Sequence, residues 1–165
     1  MYTREDILAY RCPRWGDWPK LDLYMDQAVS LIEESVRMFY GDSQPKPVTS
    51  TMINNYVKQK IVPPSRKKKY GRDHLAYFYM IFLLKSTISL IDISDALEFF
   101  QKQQVTPETY DIFCDEIEAA LSIAFNGEMP ETRSEIPGIE IIRGFSLAFA
   151  YTLLARSHNM NSVKV

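Results

Sequence analysis

The chain has 165 residues, of which 46% are hydrophobic and 24% are charged, and its net charge is −2. These proportions are typical of one compact folded unit, or of a small domain with a helical extension, and they exclude an intrinsically disordered chain. The longest apolar runs, 75–84 and 145–155, are shorter than the about 20 residues that span a bilayer, and residues 1–18 lack the apolar centre of a signal peptide. We therefore expect a cytoplasmic protein without a membrane segment, in which Cys12 and Cys114 are reduced thiols.

The first strongly periodic stretch, DLYMDQAVSLIEESVRMFYG, predicts a helix that is capped by Asp22 and followed by Gly41. A polar loop with two prolines, residues 41–47, comes next.

A short helix over residues 50–60 is predicted after this loop, with Thr49 or Ser50 as its N-cap. Its inward stripe consists of Ile53, Tyr56 and Val57, and its outward stripe of Thr51, Asn54, Asn55 and Lys58. The pair Pro63–Pro64 prevents the helix from continuing.

A basic loop over residues 65–70 follows, with a tight hairpin expected around Lys67 to Lys69. The run from Gly71 or Arg72 to Lys85 is apolar nearly all round and predicts a buried central helix. Three more helices are predicted: one capped by Ser89, one from Thr106–Pro107 to Gly127, and one near 139–156 that precedes a frayed tail. The chain is therefore expected to be all-α.

Positive charge is concentrated in one window of the chain. Residues 46–72 contain eight of the 19 lysines and arginines and no acidic residue, whereas the segments on either side are net acidic. Charge of one sign attracts polyanions. A short run such as RKKK often forms only a solvated loop, but the acid-free window as a whole favours a binding surface.

Motifs of an enzyme are missing from the sequence, which contains no P-loop, GxGxxG, GxSxG or HExxH pattern. His74 and His158 are far apart, and the pair Asp92 and Asp95 has no third ligand at matching spacing. We therefore expect neither catalysis nor a metal or cofactor.

Residues 49–97 combine a polar helix face, a double-proline turn, a basic loop and a buried helix. This order suits a helix that reads bases and a basic wing that contacts phosphates. Asparagine pairs with adenine in the major groove, and we expect one of Asn54 and Asn55 to read a base.

The stretches MINNYVKQKIVPP, KKKY, HLAYFYMIFLL and ISLIDI resemble the winged helix-turn-helix of the mercury-resistance-regulator (MerR) superfamily. The patterns LYMDQ, TMINNYVK, PPxxKKKY and HLAY also resemble a Gram-positive bacterial family known as domain of unknown function 1836. The resemblance covers about residues 23–97. It differs from the superfamily pattern in its short wing, in a long proline-containing loop before the short helix, and in Asn54 at a position where an arginine usually contacts phosphate. Because Asn54 takes that position, the resemblance implies that Asn55 reads a base and that Asn54 positions the helix.

We therefore expect an N-terminal segment (1–20), a MerR-like winged helix-turn-helix domain with a reduced wing (21–104), and a C-terminal helical region (105–165). The resemblance implies a dimer, and we expect the C-terminal helices to form its interface. It also implies a transcriptional regulator that binds double-stranded DNA. The expected contacts come from the short helix and the wing: Thr51, Asn54, Asn55, Lys58, Lys60, Arg66, Lys67, Lys68, Lys69 and Arg72.

A protein-interaction module on the same scaffold, which binds an acidic partner or a helical peptide rather than a DNA sequence, is the alternative. The short wing and the acidic C-terminal half favour it.

Overall fold

A computed structural model describes residues 3–40, 46–103, 105–131 and 133–162. This part of the chain folds into seven α-helices with no strand, apart from isolated β-bridges, which confirms the all-α prediction. The helices are α1 (Arg4–Ala9), α2 (Met25–Val36), α3 (Ser50–Lys58), α4 (Arg72–Leu84), α5 (Leu90–Gln103), α6 (Pro107–Asn126) and α7 (Ile139–Ser162). Short 3₁₀ turns occupy Trp15–Asp17 and Arg37–Phe39.

Helix α4 is the centre of the core, as its uniformly apolar sequence predicts. Every residue from His74 to Leu84 is buried, and α2, α5 and α7 pack around the helix. Tyr40 donates a hydrogen bond from its hydroxyl to the Phe82 carbonyl, at 2.5 Å, and so ties the segment after α2 to the helix. A helix that is surrounded in this way provides a rigid base for whatever α3 and the basic loop present to solvent.

Helices α6 and α7 pack against each other along their length. Helix α6 begins and ends as predicted, with the Thr106 hydroxyl accepting from the Thr109 amide at 3.2 Å and Gly127 in the left-handed region at φ 75°. Between the two helices, the buried carboxylate of Glu116 pairs with Arg133 and Arg143. These ion pairs fix the long connection between α6 and α7 to the side of α6.

The N-terminal segment crosses the surface of α6 and α4. Tyr110 donates a hydrogen bond from its hydroxyl to the Pro13 carbonyl at 2.7 Å, and the hydroxyls of Tyr10 and Tyr79 lie 2.6 Å apart. Cys12 and Cys114 are both buried free thiols within this contact. The segment is therefore part of the core rather than an appendage.

Several element boundaries differ from the sequence predictions. Helix α2 begins at Met25, with the Gln27 side chain accepting from the Tyr24 amide at 2.9 Å, so the expected cap at Asp22 is wrong. Helix α3 ends at Lys58 rather than residue 60, and α7 continues to Ser162, well into the tail that was expected to fray. The helix end predicted at Gly41 and the first part of the predicted loop, residues 41–45, lie outside the described residues.

The predicted division at residues 20 and 104 remains a prediction. One hydrophobic core nevertheless draws buried side chains from all three regions, among them Ile7, Phe78 and Phe149. In the described ranges, no helix has both the length and the apolar character to cross a membrane.

Candidate nucleic-acid interface

Helix α3 presents a polar face to solvent because its apolar face is held by the core. Thr49 caps the helix, with its hydroxyl accepting from the Met52 amide at 3.2 Å. Ile53 and Tyr56 are buried, and the Tyr56 ring packs against Phe82 of α4 with centroids 5.5 Å apart. Desolvation raises the pKa of Tyr56 to about 12. Four predicted site residues occupy the opposite, exposed face: Thr51, Asn54, Asn55 and Lys58.

The end of α3 is a Schellman motif in which a lysine occupies the position that usually holds glycine. The Ile61 amide donates to the Tyr56 carbonyl at 2.9 Å, and the Lys60 amide donates to the Val57 carbonyl at 3.0 Å. Lys60 has φ 60°, a left-handed conformation that is unfavourable for a residue with a Cβ. Buried Ile61 closes the motif. The Lys60 side chain therefore leaves α3 at an angle that the backbone fixes.

The basic loop forms a tight two-residue turn, as expected around Lys67 to Lys69. Arg66 and Lys69 exchange backbone hydrogen bonds of 2.9 Å in both directions. Lys67 and Lys68, at the tip, have φ values of 49° and 62°, as a type I′ turn requires. Asparagine and glycine are the usual residues there, so two lysines at the tip are conformationally costly. We call residues 65–70 the basic hairpin.

Backbone pairing and a packed tyrosine attach the basic hairpin to the fold. Tyr70 and Leu23 exchange two backbone hydrogen bonds of 2.8 Å, which join the hairpin to the chain just before α2. The Tyr70 ring is buried against Phe78, with centroids 5.4 Å apart. The Lys69 ammonium lies 4.7 Å from the centre of the Tyr24 ring, a cation–π distance. The tip is thus carried on a base that is anchored on both sides.

Two predicted phosphate ligands make intramolecular contacts. Arg66 donates two hydrogen bonds of 2.8 Å to the Asp73 carboxylate, and Arg72 donates from Nε to the Trp18 carbonyl at 3.0 Å. Contact with His74 and then with Arg66 holds the pKa of Asp73 well below its ordinary value. Gly71 leaves room for this arrangement, because a Cβ there would lie 2.3 Å from Arg66 Nη2. Both arginines therefore position the hairpin and the start of α4.

Unlike the two arginines, three lysines of this surface make no ion pair with another described residue. Lys58, Lys67 and Lys68 are exposed, and no ion pair engages them within the residues that the structure describes. An exposed cation without a carboxylate partner remains available to a phosphate. The arrangement can therefore bind an extended anion across the α3 face and the hairpin tip.

Residues of the N-terminal segment near this surface were not anticipated from the sequence. Lys20 is exposed and Trp15 is half-buried, and both line a groove beside the end of α3, together with buried Tyr77 of α4. Tyr77 belongs to the run that the sequence predicts to be buried, and it borders this groove as well. The two tryptophans of WGDWPK are the signal that this segment docks on the protein.

A sequence model of the family described as "Domain of unknown function (DUF1836)" matches residues 13–126. This match confirms the resemblance to that family and extends it beyond residues 23–97, to the segment that carries Trp15 and to the whole of α6. No curated protein matches the chain, and no solved structure does.

Proposed function

Since the chain belongs to the DUF1836 family, whose description assigns no activity, we propose from its surface that it is a DNA-binding transcriptional regulator with a MerR-like winged helix-turn-helix. In this proposal α3 enters the major groove and the basic hairpin is the reduced wing, which contacts phosphates. The protein acts in the cytoplasm, is not an enzyme, and needs no cofactor.

One observation carries the proposal: the outward face of α3 and the tip of the basic hairpin are polar or basic, without an acidic residue, and both are rigidly mounted. Thr51, Asn54, Asn55 and Lys58 are exposed on one side of the short helix, and Lys67 and Lys68 are exposed at the tip. Amide side chains suit base edges, and lysines suit phosphates.

Arg66 and Arg72 have a different role in this proposal from that of the lysines. Their hydrogen bonds to Asp73 and to the Trp18 carbonyl set the angle of the hairpin against α4. We therefore assign phosphate contact mainly to Lys58, Lys67 and Lys68, and positioning to the two arginines.

An uncharged stripe on α7 supports a symmetric dimer. The exposed residues Ile141, Gly144, Ala148, Tyr151 and Ala155 recur at intervals of three and four and lie on one face of the helix. Two of them, Ile141 and Tyr151, are 44% and 51% exposed. We propose that α7 packs on α7 of a second copy, since a two-fold protein matches a two-fold DNA site.

Selection of bound sequences from a random pool of duplex DNA, using the whole chain, tests the proposal. A recovered motif is expected, and Asn55→Ala should relax the preference at one base position, by about 1–3 kcal/mol, while leaving affinity for other sequences nearly unchanged. If Asn55→Ala weakens all sequences equally, or none, Asn55 is not the reading residue.

A second measurement addresses the phosphate contacts. Replacing Lys67 and Lys68 together with alanine should weaken binding to all DNA and flatten the salt dependence by roughly one unit per lost contact. The matched control removes two charges elsewhere, Arg4 in α1 and Arg11 two residues after the end of α1. An equal effect of both pairs would show a general charge effect rather than contacts at the hairpin.

The alternative, an interaction module for an acidic protein, is favoured by the use of Arg66 and Arg72 within the fold, which leaves a small cationic surface. The interaction-module alternative predicts that the random DNA pool yields no motif. It also predicts that alanine at both Lys67 and Lys68 weakens binding to an acidic peptide rather than to DNA.

A further inference from the structure

A groove of about 830 Å³ lies where five parts of the chain meet: the N-terminal segment, the end of α3, the basic hairpin, the start of α4, and Val105 just before α6. Its volume is within the range of small-molecule sites, about 300–1,000 Å³. It is separate from the outward face of α3, since its lining includes none of Thr51, Asn54, Asn55 and Lys58.

The groove is positively charged. Lys20, Lys60, Arg66 and Arg72 line it, each from a different segment, and among the lining residues that the structure describes only Asp73 is acidic. Arg66 already neutralises Asp73 with two hydrogen bonds of 2.8 Å. The charge that remains therefore favours an anion.

Apolar and aromatic side chains form the other part of the groove lining. Trp15 is half-buried and Tyr77 is 4% exposed, and both face the groove together with Val62, Pro63 and Pro64. A partly exposed indole provides a flat surface on which a planar ring can stack. An inorganic ion would leave this surface uncovered, whereas a planar organic anion would cover it.

We propose that the groove is a binding site for a small organic anion with a planar apolar body. The anionic group lies near Lys20, and the planar body lies against Trp15. Phosphate and carboxylate head groups share this chemistry. The site does not require that the chain binds DNA, because Lys20 and Trp15 belong to no part of the proposed DNA surface.

The chain has two tryptophans, so Trp18→Phe leaves Trp15 as the only indole reporter. Adenosine monophosphate and benzoate are titrated as the phosphate and carboxylate probes, with uncharged adenosine and benzamide as their matched controls. We expect at least one anion to change the Trp15 fluorescence saturably, and the uncharged partner to bind about fivefold more weakly or not at all. Calorimetry with the unaltered chain repeats the measurement without the Trp18 substitution. The stronger anion identifies the head group.

Point variants locate the binding. Lys20→Ala should raise the Kd of the better probe about fivefold, and Lys20→Glu should raise it further. Alanine at both Lys67 and Lys68, outside the groove, should leave the Kd within about twofold. The proposal is overturned if neither anion binds with a Kd below about 5 mM, if the uncharged controls bind equally well, or if the Lys67 and Lys68 variant loses binding as much as Lys20→Ala. None of these results depends on DNA binding.

Discussion

Replacing Lys60 with glycine should stabilise the protein, whereas the same replacement two residues earlier should destabilise it. Lys60 has φ 60°, beyond the last turn of α3, and Lys58 is the last residue of the helix. Both are exposed lysines, so each variant removes one positive charge, Lys58 from the outward face of α3 and Lys60 from the edge of the groove. The two variants differ in the backbone conformation at the substituted position.

The magnitude follows from that conformation. A left-handed residue with a Cβ is unfavourable by about 1–2 kcal/mol, and glycine loses about 0.5–1 kcal/mol of additional chain entropy on folding. Lys60→Gly should therefore increase the free energy of unfolding by about 0.5–1 kcal/mol. Lys58→Gly should decrease it by about 1 kcal/mol, the cost of glycine in a helix.

Urea unfolding followed by circular dichroism measures both variants, and a thermal scan should show the midpoint of Lys60→Gly rising by about 1–4 °C. If Lys60→Gly loses as much stability as Lys58→Gly, Lys60 is not left-handed and the Schellman motif is wrong. If both variants weaken DNA binding while only one is less stable, the lost affinity comes from lost charge and not from unfolding.

Three further predictions concern the core, an ion pair and the dimer. Ile81→Ala, at a fully buried position of α4, should lower the free energy of unfolding by about 2–5 kcal/mol in urea titrations, and an unchanged midpoint would contradict the packing of α4. Because the folded-state pKa of Asp73 is lowered, Asp73→Asn should be less stable than the unaltered chain at pH 7. This difference in the free energy of unfolding should shrink as the pH falls below about 4. If unfolding measured across this pH range shows a constant difference, the ionised Arg66–Asp73 pair is not the source of the difference. Ala148→Glu should convert dimers to monomers in light scattering at high micromolar concentration, whereas Asp95→Arg on the exposed side of α5 should not; a monomeric unaltered chain would argue against the dimer itself.

Features that depend on neighbouring residues were predictable from the sequence. The apolar run of α4 indicates burial whatever its partners are, and Thr106–Pro107 and Gly127 mark the ends of α6 by local backbone chemistry. The division of α3 into buried Ile53 and Tyr56 and exposed asparagines follows in the same way from helical spacing.

Features that depend on distant partners were not predictable. Asp22 is not a cap because the neighbouring Leu23 pairs with Tyr70, which keeps the chain extended up to Met25. The intramolecular contact of Arg72 depends on the Trp18 carbonyl, 54 residues earlier. The sequence shows that Arg66 and Arg72 are cations, but it does not show that both already have hydrogen-bond partners within the fold.

The docking of the N-terminal segment has a consequence for the order in which the chain folds. Pro13 accepts its hydrogen bond from Tyr110, 97 residues later, and the Cys12 amide donates to Glu118, 106 residues later. At about 5–20 residues per second, a ribosome needs several seconds to make that length of chain. The contacts of residues 12–15 with α6 therefore form only after α6 has emerged, whereas Tyr10 and Trp18 can pack earlier against Tyr79 of α4. The wall of the groove that contains Trp15 is completed only then, when the Trp15 amide donates to the Asp111 carboxylate.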